Sequence, residues 1–170
     1  MDLRLTGKIA LVTGSTAGVG FAIAKSLASE GAHVYVNGRT QERVDAAVAA
    51  IRSHVAAAKV DGIAADFSGS AGAEAVIAKL PAVDVLENNV GIFEPKPFAE
   101  IPDADWYRLF EINVMSGVRL SRHYLQRCWS GTGAASFSFR ANRGSDSGGN
   151  GALWNHQDCT DCGCGGSLSR

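Results

Sequence analysis

Lysine is absent after Lys96, and neither valine nor isoleucine occurs after Val118. The C-terminal stretch therefore lacks the material for Val/Ile-rich strands of a sheet buried on both faces. No apolar run approaches the ~18 residues that cross a membrane as a helix. The chain opens Met1-Asp2-Leu3-Arg4, without a basic-then-apolar leader, so a cytoplasmic protein is expected. Charge of one sign is not in excess: 16 Lys+Arg stand against 17 Asp+Glu, a net charge of −1. That argues against partners recruited by basic charge, whether nucleic acid or a membrane surface. Cysteine is missing from everything before Cys128, and all four cysteines lie at or after it.

What is present is enough for a core. The 170 residues are the length of one domain, and 46% of them are apolar against 19% charged. Such a chain is not globally disordered. Its composition breaks near residue 127. Residues 128–170 hold 9 of the 20 glycines and only two leucines, Leu153 and Leu168, amid Ser, Gly, Arg and Asn without a period. A domain over 1–127 and an aberrant, disordered Gly/Ser/Cys-rich tail over 128–170 are expected.

The first 127 residues alternate strand and helix. Lys8–Thr13 is a short apolar run ending at glycine, the pattern of a strand buried on both faces. Residues 18–30 form a helix, with Val19, Ile23 and Leu27 four apart and Gly31 as its C-terminal cap. Ala32–Val36, Ala58–Ala65 and Val83–Leu86 are further strands. Gln41–Val55 and Ala71–Leu80 are helices, and Asp103 caps a long helix to about Arg127 with Trp106, Phe110 and Val114 on one stripe. This alternation predicts a doubly wound parallel sheet, incomplete, with about four strands and four helices and an irregular tail.

Thr13-Gly14-Ser15-Thr16-Ala17-Gly18-Val19-Gly20 lies between the first strand and first helix. Glycines there let the backbone approach a pyrophosphate, and the helix start offers free N–H groups to it. The spacing is Gly-x-x-x-Gly-x-Gly. Asn88-Asn89-Val90-Gly91 follows the fourth strand, and Asn113 lies within the last helix. With these three motifs in order, the chain resembles the short-chain dehydrogenase/reductase family over residues 5–127. The resemblance implies a Rossmann-like NAD(P)-binding fold and hydride transfer between a nicotinamide cofactor and a small carbonyl or alcohol substrate.

It also implies roles for residues. Gly14, Ser15, Thr16, Gly18, Val19 and Gly20 would line the diphosphate. Asp66 and Phe67 would hold the adenine, and Asn89, Val90 and Gly91 would border the cofactor ribose. An NAD site usually has a carboxylate ending the second strand, for the ribose 2′-OH. Here that strand ends Val36-Asn37-Gly38-Arg39, with a guanidinium and no carboxylate. Arg39, beside Asn37, suits a 2′-phosphate, so NADP(H) is favoured over NAD(H). Two positions depart from the family pattern: Glu87 replaces an aliphatic residue and Val90 a small alanine. A carboxylate at a dry sheet interface must pair or take up a proton.

The family's chemistry needs a Ser, and a Tyr followed four positions later by Lys. Of that catalytic set only Asn113 is matched, where it would support the Lys through a water. Tyr35, Tyr107 and Tyr124 are followed at that spacing by Arg39, Glu111 and Cys128. The chain as written is therefore expected to be inactive. In place of an aliphatic fifth strand, Ser136-Phe-Ser-Phe139 offers at best a short, ragged partner, so Val83–Leu86 is expected to be an open edge, and the last helix to expose an apolar patch that drives homo-oligomer formation.

The tail carries a second signature in its codons. Ala152–Cys162 is encoded by GCN, a Leu codon, TGG, AAY, CAY, CAR, GAY, TGY, ACN, GAY, TGY. With Leu as CTN, dropping the first base permits Arg-Tyr-Gly, two positions of Ile or Thr, Lys or Arg, then Thr-Ala-Leu. That contains Tyr-x-x-x-Lys. Dropping two bases from the Arg127 codon permits Met-Leu-Val-Gly-Asn-Trp-Gly-Arg-Ile-Val-Phe-Ile-Ser-Ser-Glu-Ser-Gly, a strand followed by serine. Residues 128–170 read as a frameshifted stretch of a dehydrogenase gene, with base losses near Arg127 and Gly144. The competing reading is a small non-catalytic binding module with a zinc-binding tail. His156, Cys159, Cys162 and Cys164 are ligand types at close spacing but lack a second distant pair. The frameshift explains the same cysteines, so no metal is assigned. The shift is either a base lost from the gene or a misread base, and the DNA trace across the codons for Gln126–Cys128 is expected to show one or the other. An intact, correctly read gene there would overturn the frameshift.

Overall fold

The computed structural model describes residues 3–129 and 136–139. Its elements are β1 (Ile9–Val12), α1 (Gly18–Ser29), β2 (His33–Gly38), α2 (Gln41–His54), β3 (Val60–Ala64), α3 (Ser70–Lys79), β4 (Val85–Asn88), α4 (Asp103–Phe110), α5 (Ser116–Trp129) and β5 (Ser136–Phe139). A π-helical turn, Glu111–Met115, joins α4 to α5. All strand pairs are parallel, in the order β3-β2-β1-β4-β5. The chain winds outward from β1 to β3, then crosses back to place β4 on the other side of β1. The loops after β1 and β4 therefore diverge around one crevice, where open α/β sheets bind ligands. Among the described residues no helix is long and apolar enough to cross a membrane.

Alternation along the strands builds two cores. Ala10, Val12, Val34 and Val36 face α1 and α2, packing on Ala24, Ala28, Ala47 and Ile51. Leu11, Ile63 and Leu86 face the other way, onto Ala73 and Val76 of α3 and Leu120 and Tyr124 of α5. Removing each such Val or Leu side chain from water contributes about 1.5–3 kcal/mol. The alanines of α1 let that helix lie close to the sheet. Tyr124 is 2% exposed, and its hydroxyl donates to the Leu80 carbonyl at 2.7 Å. Burial raises its pKa to about 12, and the bond ties α5 to the residue that follows α3.

Several expectations change. β4 is not the sheet edge, because β5 pairs with it from Val85↔Ser136 to Asn88↔Phe139. A fifth strand thus comes from beyond residue 127, across the expected domain boundary. The rest of the expected disordered tail, residues 130–135 and 140–170, lies outside the described residues, as do the proposed zinc ligands. The long helix is interrupted at Glu111–Met115. Its cap is Pro102, and Asp103 is the first helical residue with no side-chain cap bond. The wider π turn shifts the phase of the helix, so the stripe does not run through: Trp106 is 48% and Phe110 55% exposed, while Val114 is half-buried. Glu87 lies inside β4 and is half-buried.

The π turn is bridged by an ion pair. Arg119 of α5 donates both guanidinium nitrogens to the Glu111 carboxylate. That bond holds the Glu111 pKa below its ordinary 4.5. A depressed folded-state pKa means stabilisation that is present above the ordinary carboxylate range and lost as pH falls through the folded value. Glu111→Gln is expected to lower stability at neutral pH and to flatten the acid limb of the pH–stability curve below the ordinary value of 4.5, the two proteins converging in acid. Parallel acid limbs for both proteins, followed by circular dichroism, would contradict this.

Candidate functional site

The crevice is built from the turn after β1. Gly14 and Gly18 both have φ +59, a backbone region that disfavours side chains. Gly20 is required by contact: a Cβ there would lie 2.3 Å from Asn89 Nδ2 and 2.6 Å from the Gly14 carbonyl oxygen. α1 then begins at Gly18 after Ala17, which supplies no side-chain cap. The amides opening α1 are left for an outside acceptor, with the positive end of the helix dipole behind them. Val19 stands 52% exposed beside them.

Three polar residues hold this turn. Asn37, 0% exposed, accepts from the Gly14 amide at 3.1 Å and donates to the carbonyls of Ile63 at 3.0 Å and Ala65 at 3.3 Å. Its backbone exchanges bonds with Ser15, whose hydroxyl donates to Val12. Thr13 Oγ1 donates to the Glu87 carbonyl and accepts from the amides of Asn89 and Val90. Asn89 Nδ2 donates to the carbonyls of Thr13 and Gly14, each at 3.0 Å. The side chains of Asn37, Ser15 and Asn89 are thus joined to backbone, where contact with a cofactor had been expected. They set the shape of the turn. Thr13 was not singled out from sequence. Its signal was a hydroxyl at the end of a buried strand, directly before the first glycine.

Other candidates are also placed by the fold. Val90 is half-buried against the α3–α5 core, and its Cα is 3.0 Å from where a Gly14 Cβ would stand. Gly91 is exposed on the loop that follows. Phe67 differs from its expected role: it is 2% exposed and part of the core, so its ring anchors the turn after β3 and does not face the cleft. Asn113 sits in the π turn, where its Oδ1 accepts from the Ile92 amide at 2.7 Å and its Nδ2 donates to the Ile92 carbonyl at 3.0 Å. Its amide thus fastens the loop after β4, where support of a Lys through a water had been expected.

At the C-terminal rim of β2 lies a cavity of about 590 Å³ lined by Arg39, Thr40, Glu42, Arg43, Ala46 and Asp66. The sequence had supplied Arg39 and Asp66 as separate candidates, and the fold puts them in one wall. Asp66 Oδ1 accepts from the Ser68 amide at 3.0 Å, which fixes the carboxylate while its other oxygen remains for a donor. Among the described residues neither Arg39 nor Arg43 has an ion pair or a side-chain hydrogen bond. Two unpaired guanidiniums on one cavity fit an anionic ligand.

Comparison with known proteins gives a family. The sequence pattern of the short chain dehydrogenases matches residues 8–135. The uncharacterized oxidoreductase YvaG of Bacillus subtilis is 50% identical over 125 residues, 74% of this chain and 47% of that protein. The 7alpha-hydroxysteroid dehydrogenase of Escherichia coli is 40% identical over 124 residues, covering 71% of this chain and 48% of that one. The chain spans about half the length of the curated relatives it matches. Among solved structures, L-sorbose reductase from Gluconobacter frateurii, complexed with NADPH and L-sorbose, matches with a TM-score of 0.71 and 31% identity. That match covers 79% of this chain and 52% of that one. A metagenomic short-chain oxidoreductase in complex with NADP gives 0.67 and 30%, over 76% of this chain and 60% of that one.

The Asn37 amide makes a sharp test of the turn's construction. Asn37→Asp keeps the acceptor for the Gly14 amide but replaces the donor that faces two carbonyls with a buried charge. Leaving such groups unsatisfied costs about 1–3 kcal/mol, more for a charge. Denaturant unfolding is expected to show a loss of at least that size, with Asn37→Ser losing less. Equal stability of wild type and Asn37→Asp would mean the bonds to Ile63 and Ala65 carry nothing.

Proposed function

The chain belongs to the short chain dehydrogenase family, and on that premise we propose that residues 8–135 are the cofactor-binding half of an NADP(H)-dependent oxidoreductase. Its substrate would be a small carbonyl or alcohol compound. The observation that carries the cofactor reading is the pair Arg39 and Arg43 on the cavity at the end of β2. A 2′-phosphate brings about −1.5 to −2 charge and three acceptor oxygens, which two guanidiniums suit. An NAD ribose would call instead for a carboxylate ending β2. Gly38 stands there, and a Cβ on it would lie 2.4 Å from Thr16 Cγ2. Thr16 thus crowds the position an acidic side chain would need.

In this reading the amides opening α1 receive the diphosphate, with Gly14, Thr16, Gly18, Val19 and Gly20 shaping its seat. Asp66 accepts from the adenine amine. Val90 and Gly91 border the nicotinamide ribose on a loop held by Asn89 and Asn113. The nicotinamide, when bound, exchanges hydride with the substrate carbon. The relatives' names include a sugar reductase and a steroid dehydrogenase, which share a carbonyl or alcohol substrate class. The exposed aromatic residues Phe98, Trp106, Tyr107 and Phe110 support a homo-oligomer. We keep a cytoplasmic location, with no nucleic-acid or membrane partner.

The frameshift reading fits this placement. The family match ends at residue 135, just past the break in composition. The restored frame lays Ile-Val-Phe-Ile over the codons of residues 135–139, the stretch that forms β5. Codons with a central T encode aliphatic residues and Phe. One slip moves that T to a codon edge and yields Ser and Phe, the Ser136-Phe-Ser-Phe139 observed.

Calorimetry is expected to show tighter binding of NADP(H) than NAD(H), and Arg39→Asp to reverse the preference. Equal affinities before and after that change would overturn the assignment. The 170-residue chain is expected to show no cofactor-dependent carbonyl reduction. Loss of the proton donor and its Lys removes assistance worth ~10²–10⁴-fold. Turnover above a blank, with the mass of this sequence confirmed, would refute that.

A further inference from the structure

Gly72 is buried in the first turn of α3, where glycine is a poor helix former. Its φ is not positive, so the backbone there would accept any residue. What excludes a side chain is space. A Cβ on Gly72 would lie 1.9 Å from the Asp66 carbonyl oxygen, 2.6 Å from the Asp66 carbonyl carbon and 3.2 Å from the Phe67 Cα. All three are backbone atoms, which cannot rotate aside as a side chain can. The chain on either side of them is held. Before Asp66, the Ala65 amide donates to the Gly38 carbonyl at 2.9 Å, and Asn37 Nδ2 donates to the Ala65 carbonyl. After it, the Phe67 ring is buried in one core with Ala73 and Val76 of α3. Asp66 itself is exposed, with its Oδ1 accepting from the Ser68 amide.

We propose that Gly72 and Phe67 are positioning residues that set the direction of the Asp66 carboxylate, so that its free oxygen meets the exocyclic amine of an adenine. This rests on the adenine role given to Asp66 above. Neither residue offers the ligand a group of its own. Gly72 lets the start of α3 lie directly against the Asp66 carbonyl, and the Phe67 ring pins the next residue in the core. A side chain at Gly72 must push something away. Because Ala65 is bonded to β2, and α3 is packed through Ala73 and Val76, the displacement falls on the peptide that joins Asp66 to Phe67. Turning that peptide turns the Asp66 side chain and its brace at the Ser68 amide. A hydrogen bond weakens steeply as its angle closes, so a small rotation of the turn spares the fold and loses the bond. The rest of the nucleotide makes no use of this carboxylate, and its binding is left unchanged.

The test is calorimetry of the full chain with 5′-AMP and purine riboside 5′-monophosphate, which differ by the exocyclic amine alone. Wild type is expected to prefer 5′-AMP about tenfold, the size of one charge-assisted bond, and Asp66→Ala to abolish that preference. Gly72→Ala is expected to remove most of it with affinity for the purine analogue unchanged. Phe67→Leu, which keeps the core apolar, is expected to reduce it by a smaller factor. A wild-type ratio in Gly72→Ala overturns the proposal and leaves the adenine role of Asp66 standing. Equal weakening of both ligands in Gly72→Ala also overturns it, since the residue would then be only structural. Where Gly72→Ala does not fold, Phe67→Leu decides, and a wild-type ratio there overturns the proposal. If wild type itself does not distinguish the two nucleotides, the adenine role of Asp66 fails and the proposal falls with it.

Discussion

The hydrogen bonds that bind the glycine turn to the ends of three strands are the constraint on which the site depends. A turn with two glycines at positive φ has little intrinsic preference for one shape, because glycine gives up the most backbone freedom on folding. Its shape is imposed from outside. Asn37 fixes the Gly14 amide from β2 while donating to carbonyls at and just beyond the end of β3. Thr13 and Asn89 tie the same turn to the end of β4. The start of α1 is thereby aimed at one point of the crevice. A buried polar group in this position is costly if any partner is lost, and here each partner is a backbone group that the sheet itself holds in place.

The sheet was legible because its signals are local and repeated. Short Val/Leu/Ile runs punctuated by glycine, alternating with helical periods, leave few topologies open. The glycine turn, Arg39 and Asp66 were legible as residue types in a known order. What those residues do to one another was not. Asn37 reads as a polar residue at a strand end, and nothing in its neighbours says that it is fully buried and joined to backbone on every side. Phe67 follows Asp66 and shares its motif, yet the turn after β3 sends one to the cleft and the other into the core. Arg43 was hidden because it lies in a charged helical stretch, Gln41-Glu-Arg43, that looks like an ordinary solvated face.

The break in the last helix illustrates a different limit. Residues 103–127 carry one continuous period, and periodicity assumes a constant number of residues per turn. The π turn at Glu111–Met115 violates that assumption. What favours it is tertiary: Asn113 reaches across to both backbone groups of Ile92, and the Glu111–Arg119 pair spans the widened turn. A second network, Lys96 with Asp105 and Arg108 with Glu94, fastens the same loop to α4. The Lys96 ammonium lowers the Asp105 pKa. The loop after β4 is thus tied to the helix along much of its length, although it contributes little to either core.

The division of the fold places the groups proposed for the adenosine side ahead of the stretch in which the later family motifs are missing. Glycine turn, β2 rim and β3 turn all precede Asn88, and their supports come from β1, β2, β3 and β4. The crevice lies where β4 departs from β1, so its two halves are contributed by opposite halves of the winding. A change of reading frame beyond residue 127, as proposed above, would remove a Tyr and a Lys facing the nicotinamide and would touch none of the groups around Arg39 and Asp66. The fifth strand marks the boundary. Its slot beside β4 is filled by residues 136–139, because a β-ladder is made by backbone groups, which Ser-Phe-Ser-Phe supplies although it lacks the aliphatic side chains of a buried strand. A backbone role survives a change of side chains, whereas a Tyr hydroxyl or a Lys amine does not.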